Sequence, residues 1–91
     1  MSDADVLVPL KIDLDISTTA RDSYLTQLIA SAKKFIETEG ITLDQSDASD
    51  CMLVEMYAAY LYRARRDGKM PMPRMLRWAL NNRLLKEKAN G

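Results

Sequence analysis

Histidine is absent from this 91-residue chain, and cysteine occurs only once, as Cys51. Because histidine is the commonest general base and metal ligand, its absence removes the usual acid–base and zinc chemistry. A lone cysteine can neither form a disulfide within the chain nor pair with a histidine as a nucleophile. We therefore expect no catalytic residues, no metal site and no cofactor, and we expect that the protein is not an enzyme.

Glycine and proline are also scarce, with three of each. The glycines are isolated from one another, which excludes a glycine-rich phosphate-binding loop. The hydrophobic share of 47% and the charged share of 29% are close to those of globular proteins. Since helix-favouring residues dominate and the length suits one domain, we predict a single all-α domain over residues 1–91.

Long hydrophobic runs are missing as well. The longest, residues 52–62, is interrupted by Glu55 and is too short to cross a bilayer. The first five residues contain two aspartates and no basic residue, whereas a secretory signal begins with basic residues. We expect a soluble protein that is made in the cytoplasm and has no membrane partner.

Hydrophobic periodicity predicts about four helices, over residues 4–12, 20–39, 48–66 and 73–87. The first is ambiguous, because hydrophobic residues also alternate from Val8 to Ile16 with the period of a strand. Pro9 argues against a central strand, and within a helix we expect proline only in the first turn. A helix is favoured here, and a strand is the alternative.

The second helix has the clearest pattern. Thr19 and Asp22 have the spacing of a capping box, and Gly40 is placed to end the helix. The hydrophobic residues between them recur every three or four positions, as on one face of a helix: Leu25, Leu28, Ile29, Ala32, Phe35 and Ile36. This face is predicted to be buried.

The third helix is hydrophobic on nearly every side. Asp47 or Ser49 is predicted to cap its start and Gly68 to end it, with Glu55 as the one polar residue in the middle. Such a helix has to be covered on several faces. It is either the central helix of the core, or one side of it, with Tyr60 and Tyr62, packs against a neighbouring subunit.

Charge is distributed unevenly. Residues 1–62 carry four Lys and Arg against eleven Asp and Glu, whereas residues 63–91 carry nine against two. The two halves either pair within one molecule, or the basic end of one copy meets the acidic end of the next or another acidic partner. The candidate residues for such a contact are Arg63, Arg66, Arg74, Arg77 and, as an aromatic anchor, Trp78.

DNA binding is the alternative use of the basic residues. Arg74 and Arg77 are three positions apart and can face phosphates together, while Trp78 can stack on a base. A helix-turn-helix is disfavoured, because Pro71 and Pro73 stand where its tight turn belongs.

Five stretches together resemble the small head–tail connector proteins of tailed phages and prophages. They are residues 10–13 (LKID), 20–25 (ARDSYL), 28–36 (LIASAKKFI), 56–63 (MYAAYLYR) and 72–83 (MPRMLRWALNNR). The first three resemble the opening of these proteins, where an LKID-like helix end precedes a long helix. The last two resemble the later part of the short prophage members.

This resemblance implies an all-helical structural subunit of the virion's head–tail junction. Such subunits form a ring of about a dozen copies below the portal, with or without the portal as a template. The ring extends the DNA channel and docks the next connector, stopper or tail protein, so DNA is passing cargo. The alternative is a small helical DNA-binding protein that takes part in phage packaging or regulation.

Overall fold

The chain folds into four helices in a computed structural model that describes residues 3–44 and 46–90. The helices are α1 (Asp3–Asp13), α2 (Asp22–Thr38), α3 (Ala48–Asp67) and α4 (Arg74–Asn90), and no strand occurs in this described part of the chain. The predicted all-α bundle is confirmed, with helix ends that differ from the expected ones by no more than three residues. The alternative of a strand over residues 8–16 is wrong.

Helix α1 continues through Pro9, well beyond its first turn. The expectation that proline is tolerated only in the first turn is therefore wrong. Pro9 is exposed, whereas Val6 and Leu10 in the same helix are completely buried, so tertiary packing holds the helix together. Just beyond the helix end, Asp15 has a positive φ of 57°, which allows the Ile16 N–H to donate to the Lys11 carbonyl.

Helix α2 buries the predicted face except for one residue. Leu25, Leu28, Ile29, Ala32 and Ile36 are buried, but Phe35 is 50% exposed and stacks on Tyr57. The predicted capping box is wrong, because the helix begins after Arg21 without a side-chain cap. Gly40, with φ of 101°, ends it as predicted, and its N–H donates to the Glu37 carbonyl.

Helix α3 is the central helix and packs against all three others. Its start is fixed by Asp47, whose carboxylate accepts from the Ser49 N–H at 2.7 Å. Gly68 ends it with φ of 77°, donating to the Ala64 carbonyl. Both predicted ends are confirmed.

Helices α2 and α4 both run antiparallel to α3. The start of α2 meets the end of α3 through the rings of Tyr24 and Tyr62, and the end of α2 meets the middle of α3 through Phe35 and Tyr57. Helix α4 returns along another side of α3 after the extended link at Pro71 and Pro73, burying Leu76 and Leu80. Between α1 and α4, one side of α3 remains open.

The end of α3 offers a test of this backbone. A Cβ added at Gly68 would meet no atom within 4 Å. A substitution there is therefore unfavourable only because a residue with a side chain resists the left-handed backbone conformation. We expect Gly68→Ala to lower the free energy of unfolding by about 1 kcal/mol. Gly68→Asn is the matched control, and urea unfolding should show a smaller loss because asparagine tolerates this conformation. Two variants as stable as the wild type would contradict a left-handed helix end.

Candidate protein-interaction surface

The open side of α3 forms an apolar groove between α1 and α4. Its floor is Met52, which is 64% exposed, and Met56, which is half-buried. Three adjoining depressions share Met56 and together make one channel, which we call the α3 groove. Its α1 wall consists of Pro9 and Asp13.

Helix α4 forms the other wall of the groove along its whole length. Met75 and Leu76 border it near Ala59 and Tyr60, and Trp78, Ala79 and Asn82 border it beside Met52. Exposed methionine and tryptophan side chains on facing helices are typical of surfaces that bind other proteins.

A second apolar surface lies on the outer side of α4. Trp78 and Leu85 are each 65% exposed and lie seven residues apart, which is two helical turns. Arg74 precedes Trp78 by four residues and is exposed on the same side. Its guanidinium makes no hydrogen bond or ion pair with any residue that the structure describes. We call Arg74, Trp78 and Leu85 the α4 ridge.

Two carboxyl groups meet at the α1 wall of the groove. Glu55 of α3 is 9% exposed and its side chain is hydrogen-bonded to that of Asp13, the last residue of α1. Burial, followed by the neighbouring Asp13, raises the pKa of Glu55 to about 7. Arg63 partly offsets this shift from its place beside Asp13, with 3.4 Å between Nη2 and Oδ1. Two carboxyl groups therefore share one nearby cation at this wall.

A buried ion pair fixes α4 against α3 at the other end of the groove. Arg83 Nε lies 2.8 Å from Oδ1 of Asp50, which is 1% exposed. The second Asp50 oxygen accepts from the Asp44 N–H at 2.8 Å, and Arg83 also donates to the Thr42 carbonyl at 2.7 Å. Both oxygens of Asp50 accept hydrogen bonds, and Arg83 donates to two different segments. The pair therefore joins the start of α3, the preceding loop and α4.

The two oppositely charged halves of the chain are joined by four ion pairs among the described residues. These are Arg63–Asp13, Arg77–Glu39, Arg83–Asp50 and Lys86–Asp47. Pairing within one molecule, one of the interpretations of the uneven charge, is therefore confirmed for these cations. Lys69, Arg74 and Lys88 form no ion pair with a residue that the structure describes.

The residues predicted for an interface fall in different environments. Tyr62 is 6% exposed and accepts a hydrogen bond from Arg21, so it belongs to the core and offers almost no free surface. Arg66 lies over the Tyr62 ring, 5.9 Å from its centre. Tyr60 and Arg63 border the far end of the groove. Arg77 is paired with Glu39, and Trp78 and Arg74 are exposed on the α4 ridge.

Met52, Met56 and Glu55 were not among the predicted interface residues. The signal for the methionines was their spacing of four on a helix that is hydrophobic on nearly every side. Nothing in the sequence indicates that Glu55 meets Asp13, because forty-two positions separate them.

Comparison with known protein families, characterised proteins and solved structures gives no match. Among the described residues, no helix has the length and hydrophobicity needed to cross a membrane. The same residues contain no group of three or more Cys, Asp or Glu placed to hold a metal ion. The groove and the ridge are thus the features from which a function is inferred.

The Asp50–Arg83 pair predicts a large difference between two arginine substitutions on α4. Arg83→Met leaves a buried carboxylate without its cation, so we expect the free energy of unfolding to fall by about 3 kcal/mol. Arg77→Met is the control, because its pair with Glu39 is exposed and should cost under about 1 kcal/mol. Urea unfolding measures both, and equal losses would contradict a structural role for the buried pair.

The raised pKa of Glu55 predicts that stability declines as pH rises. An unfolded glutamate loses its proton near pH 4.5, whereas the folded one keeps it to about pH 7. The stabilising contribution is therefore full below pH 4.5 and is lost as pH rises through about 7. At pH 8 we expect Glu55→Gln to be more stable than the wild type by about 1 kcal/mol, after allowance for solvent screening.

Urea unfolding of both proteins from pH 5 to pH 8 measures this difference. The exposed Glu37→Gln on α2 is the matched control and should follow the wild-type profile. A wild-type stability that rises between pH 5 and pH 8 more steeply than that of Glu55→Gln would show that Glu55 ionises readily in the folded state.

Proposed function

We propose that this chain is a structural subunit of a tailed-phage head–tail junction, which assembles side by side into a ring below the portal. In this role it is not an enzyme: it binds copies of itself, the portal, and the next connector or tail protein. DNA passes through the ring as cargo. The resemblance of residues 10–13, 20–25, 28–36, 56–63 and 72–83 to the small connector proteins supports this proposal.

The observation that carries the proposal is the pair of unequal apolar surfaces on one small molecule. The α3 groove is concave, and the α4 ridge is convex and carries Arg74, a cation without a partner in the described part of the chain. When two different surfaces of identical subunits bind each other, the contact is repeated from copy to copy and closes into a ring if the rotation allows. Exposed Trp78 beside exposed methionines forms an apolar patch of the kind that marks a protein-binding site.

The pairing of the basic residues favours assembly over DNA binding. Arg63, Arg77 and Arg83 are held by carboxylates of the same molecule, and Arg66 lies over a tyrosine ring. Duplex binding depends on several free cations that contact phosphates together. The helical turn after Trp78 carries Asn81 and Asn82, so Arg74 is the one exposed cation close to Trp78 that no described carboxylate holds.

The deciding measurement is native mass spectrometry of the full chain, alone and with the portal protein of its own phage, over a range of protein and salt concentrations. We expect a closed species of about a dozen copies, formed by the chain alone or on the portal. Duplex DNA is the control ligand. A monomer that ignores the portal but binds duplex with a steep salt dependence would contradict the connector role and support the DNA-binding alternative.

A further inference from the structure

We infer that the α4 ridge of one copy packs into the α3 groove of the next copy, and that Arg74 of the incoming helix meets Asp13 and Glu55. This inference rests on the proposed function, because it names the partner surface through which the ring would form. It commits the groove to one occupant, a second copy of this chain.

The shapes of the two surfaces are matched in length and in kind. The ridge runs from Arg74 to Leu85 and the groove lining on α3 from Met52 to Arg63, so in each the end residues are eleven positions apart, or about 16 Å of helix. Methionine side chains are flexible and fit themselves to an incoming ring. Trp78 supplies the large aromatic anchor that dominates the energy of many protein interfaces.

Charge complementarity fixes the direction of the incoming helix. At the α1 wall, Arg63 is the one cation among the described residues that lies near Asp13 and Glu55, so a second cation is favoured there. Arg74 is exposed, has no partner among the residues that the structure describes and lies one helical turn before Trp78. With Arg74 at this wall, Leu85 lies toward Met52, and the incoming α4 runs in the same direction as the α4 of the receiving copy.

The exposed apolar surface on α1 fits the α3 groove less well than the α4 ridge does. Val8 and Ile12 are 61% and 76% exposed on the outer side of α1, four residues apart. That side also carries Asp5, and the helix ends in Asp13. An acidic helix would meet the acidic wall of the groove, and like charges brought together in an interface disfavour binding.

The contact is tested with two variants that each disable one surface. Arg74→Glu/Leu85→Glu disables the ridge and leaves the groove intact, while Met52→Glu disables the groove and leaves the ridge intact. All three positions are exposed, so both variants are expected to fold, and circular dichroism checks this. Trp78 is avoided because it belongs to both surfaces. Ile12→Glu is the matched control, with the same change at an exposed apolar position outside the contact.

Analytical ultracentrifugation of the pure variants and of their mixture gives the readout. We expect each variant alone to be monomeric, with self-association weakened about thirtyfold or more. The equimolar mixture should form a dimer and nothing larger, because one intact ridge fits one intact groove. Ile12→Glu should assemble like the wild type.

A charge exchange tests the position of Arg74 directly. Arg74→Glu alone is expected to weaken assembly about tenfold, and Asp13→Arg in the same chain should restore much of it. Arg74 and Asp13 share no hydrogen bond or ion pair within one molecule, so a repair of the monomer does not explain such rescue. Asp13→Arg alone is the control and should not strengthen assembly.

Several outcomes would overturn the inference. If the wild type forms rings and both variants form them too, the ridge and the groove do not make the interface. That result would contradict this inference but would still agree with the proposed function. A mixture that stays monomeric, or loss of assembly in Ile12→Glu, would assign the contact to other surfaces. A wild-type chain that remains monomeric at about 0.5 mM would also reject this contact, and binding to the portal would then decide the proposed function separately.

Discussion

The need to cover helix α3 shapes the whole molecule, because this helix is hydrophobic on nearly every side and has only three short helices to pack against. Burying such a helix removes apolar surface from water, which is the main driving force of folding. Helices α1, α2 and α4 cover three of its sides. They also make the core in which Tyr57, Ala58 and Tyr62 are buried.

Three helices do not close around a fourth, and the open side of α3 is where Met52 and Met56 lie. The same constraint therefore produces the core and the groove. Methionine suits such a position, since its flexible side chain tolerates both water and a partner. Trp78 and Leu85 on the outer side of α4 add apolar surface that the monomer leaves exposed.

Electrostatics also helps to set the arrangement of the helices. The net charge is zero, and the acidic first part is tied to the basic last part by ion pairs, of which Asp50–Arg83 is the most buried. This pair fixes α4 at one end of the groove. At the α1 wall the balance is incomplete, since Asp13 and Glu55 share Arg63 and the pKa of Glu55 is raised to about 7. Among the described residues, the two carboxyl groups of this cluster share one cation, and Arg74 has no acidic partner.

The sequence by itself determined the local structure of this protein. Helical periodicity gave the number of helices, and short-range chemistry gave the ends at Asp47, Gly40 and Gly68, because caps and left-handed turns depend on neighbouring residues. Two local predictions fail: α2 begins without the expected capping box, and at Pro9 the distant packing of Val6 and Leu10 outweighs the missing backbone donor.

Only the tertiary structure decided which side of α3 stays open, that Tyr62 is buried, and that Asp50 meets Arg83 and Glu55 meets Asp13. These pairs are separated by more than thirty positions. On a helix that is hydrophobic on every side, the pattern does not distinguish a covered face from a free one. Which face is covered depends on the angles at which α1 and α4 pack, and those are set by side-chain interlocking across the whole bundle.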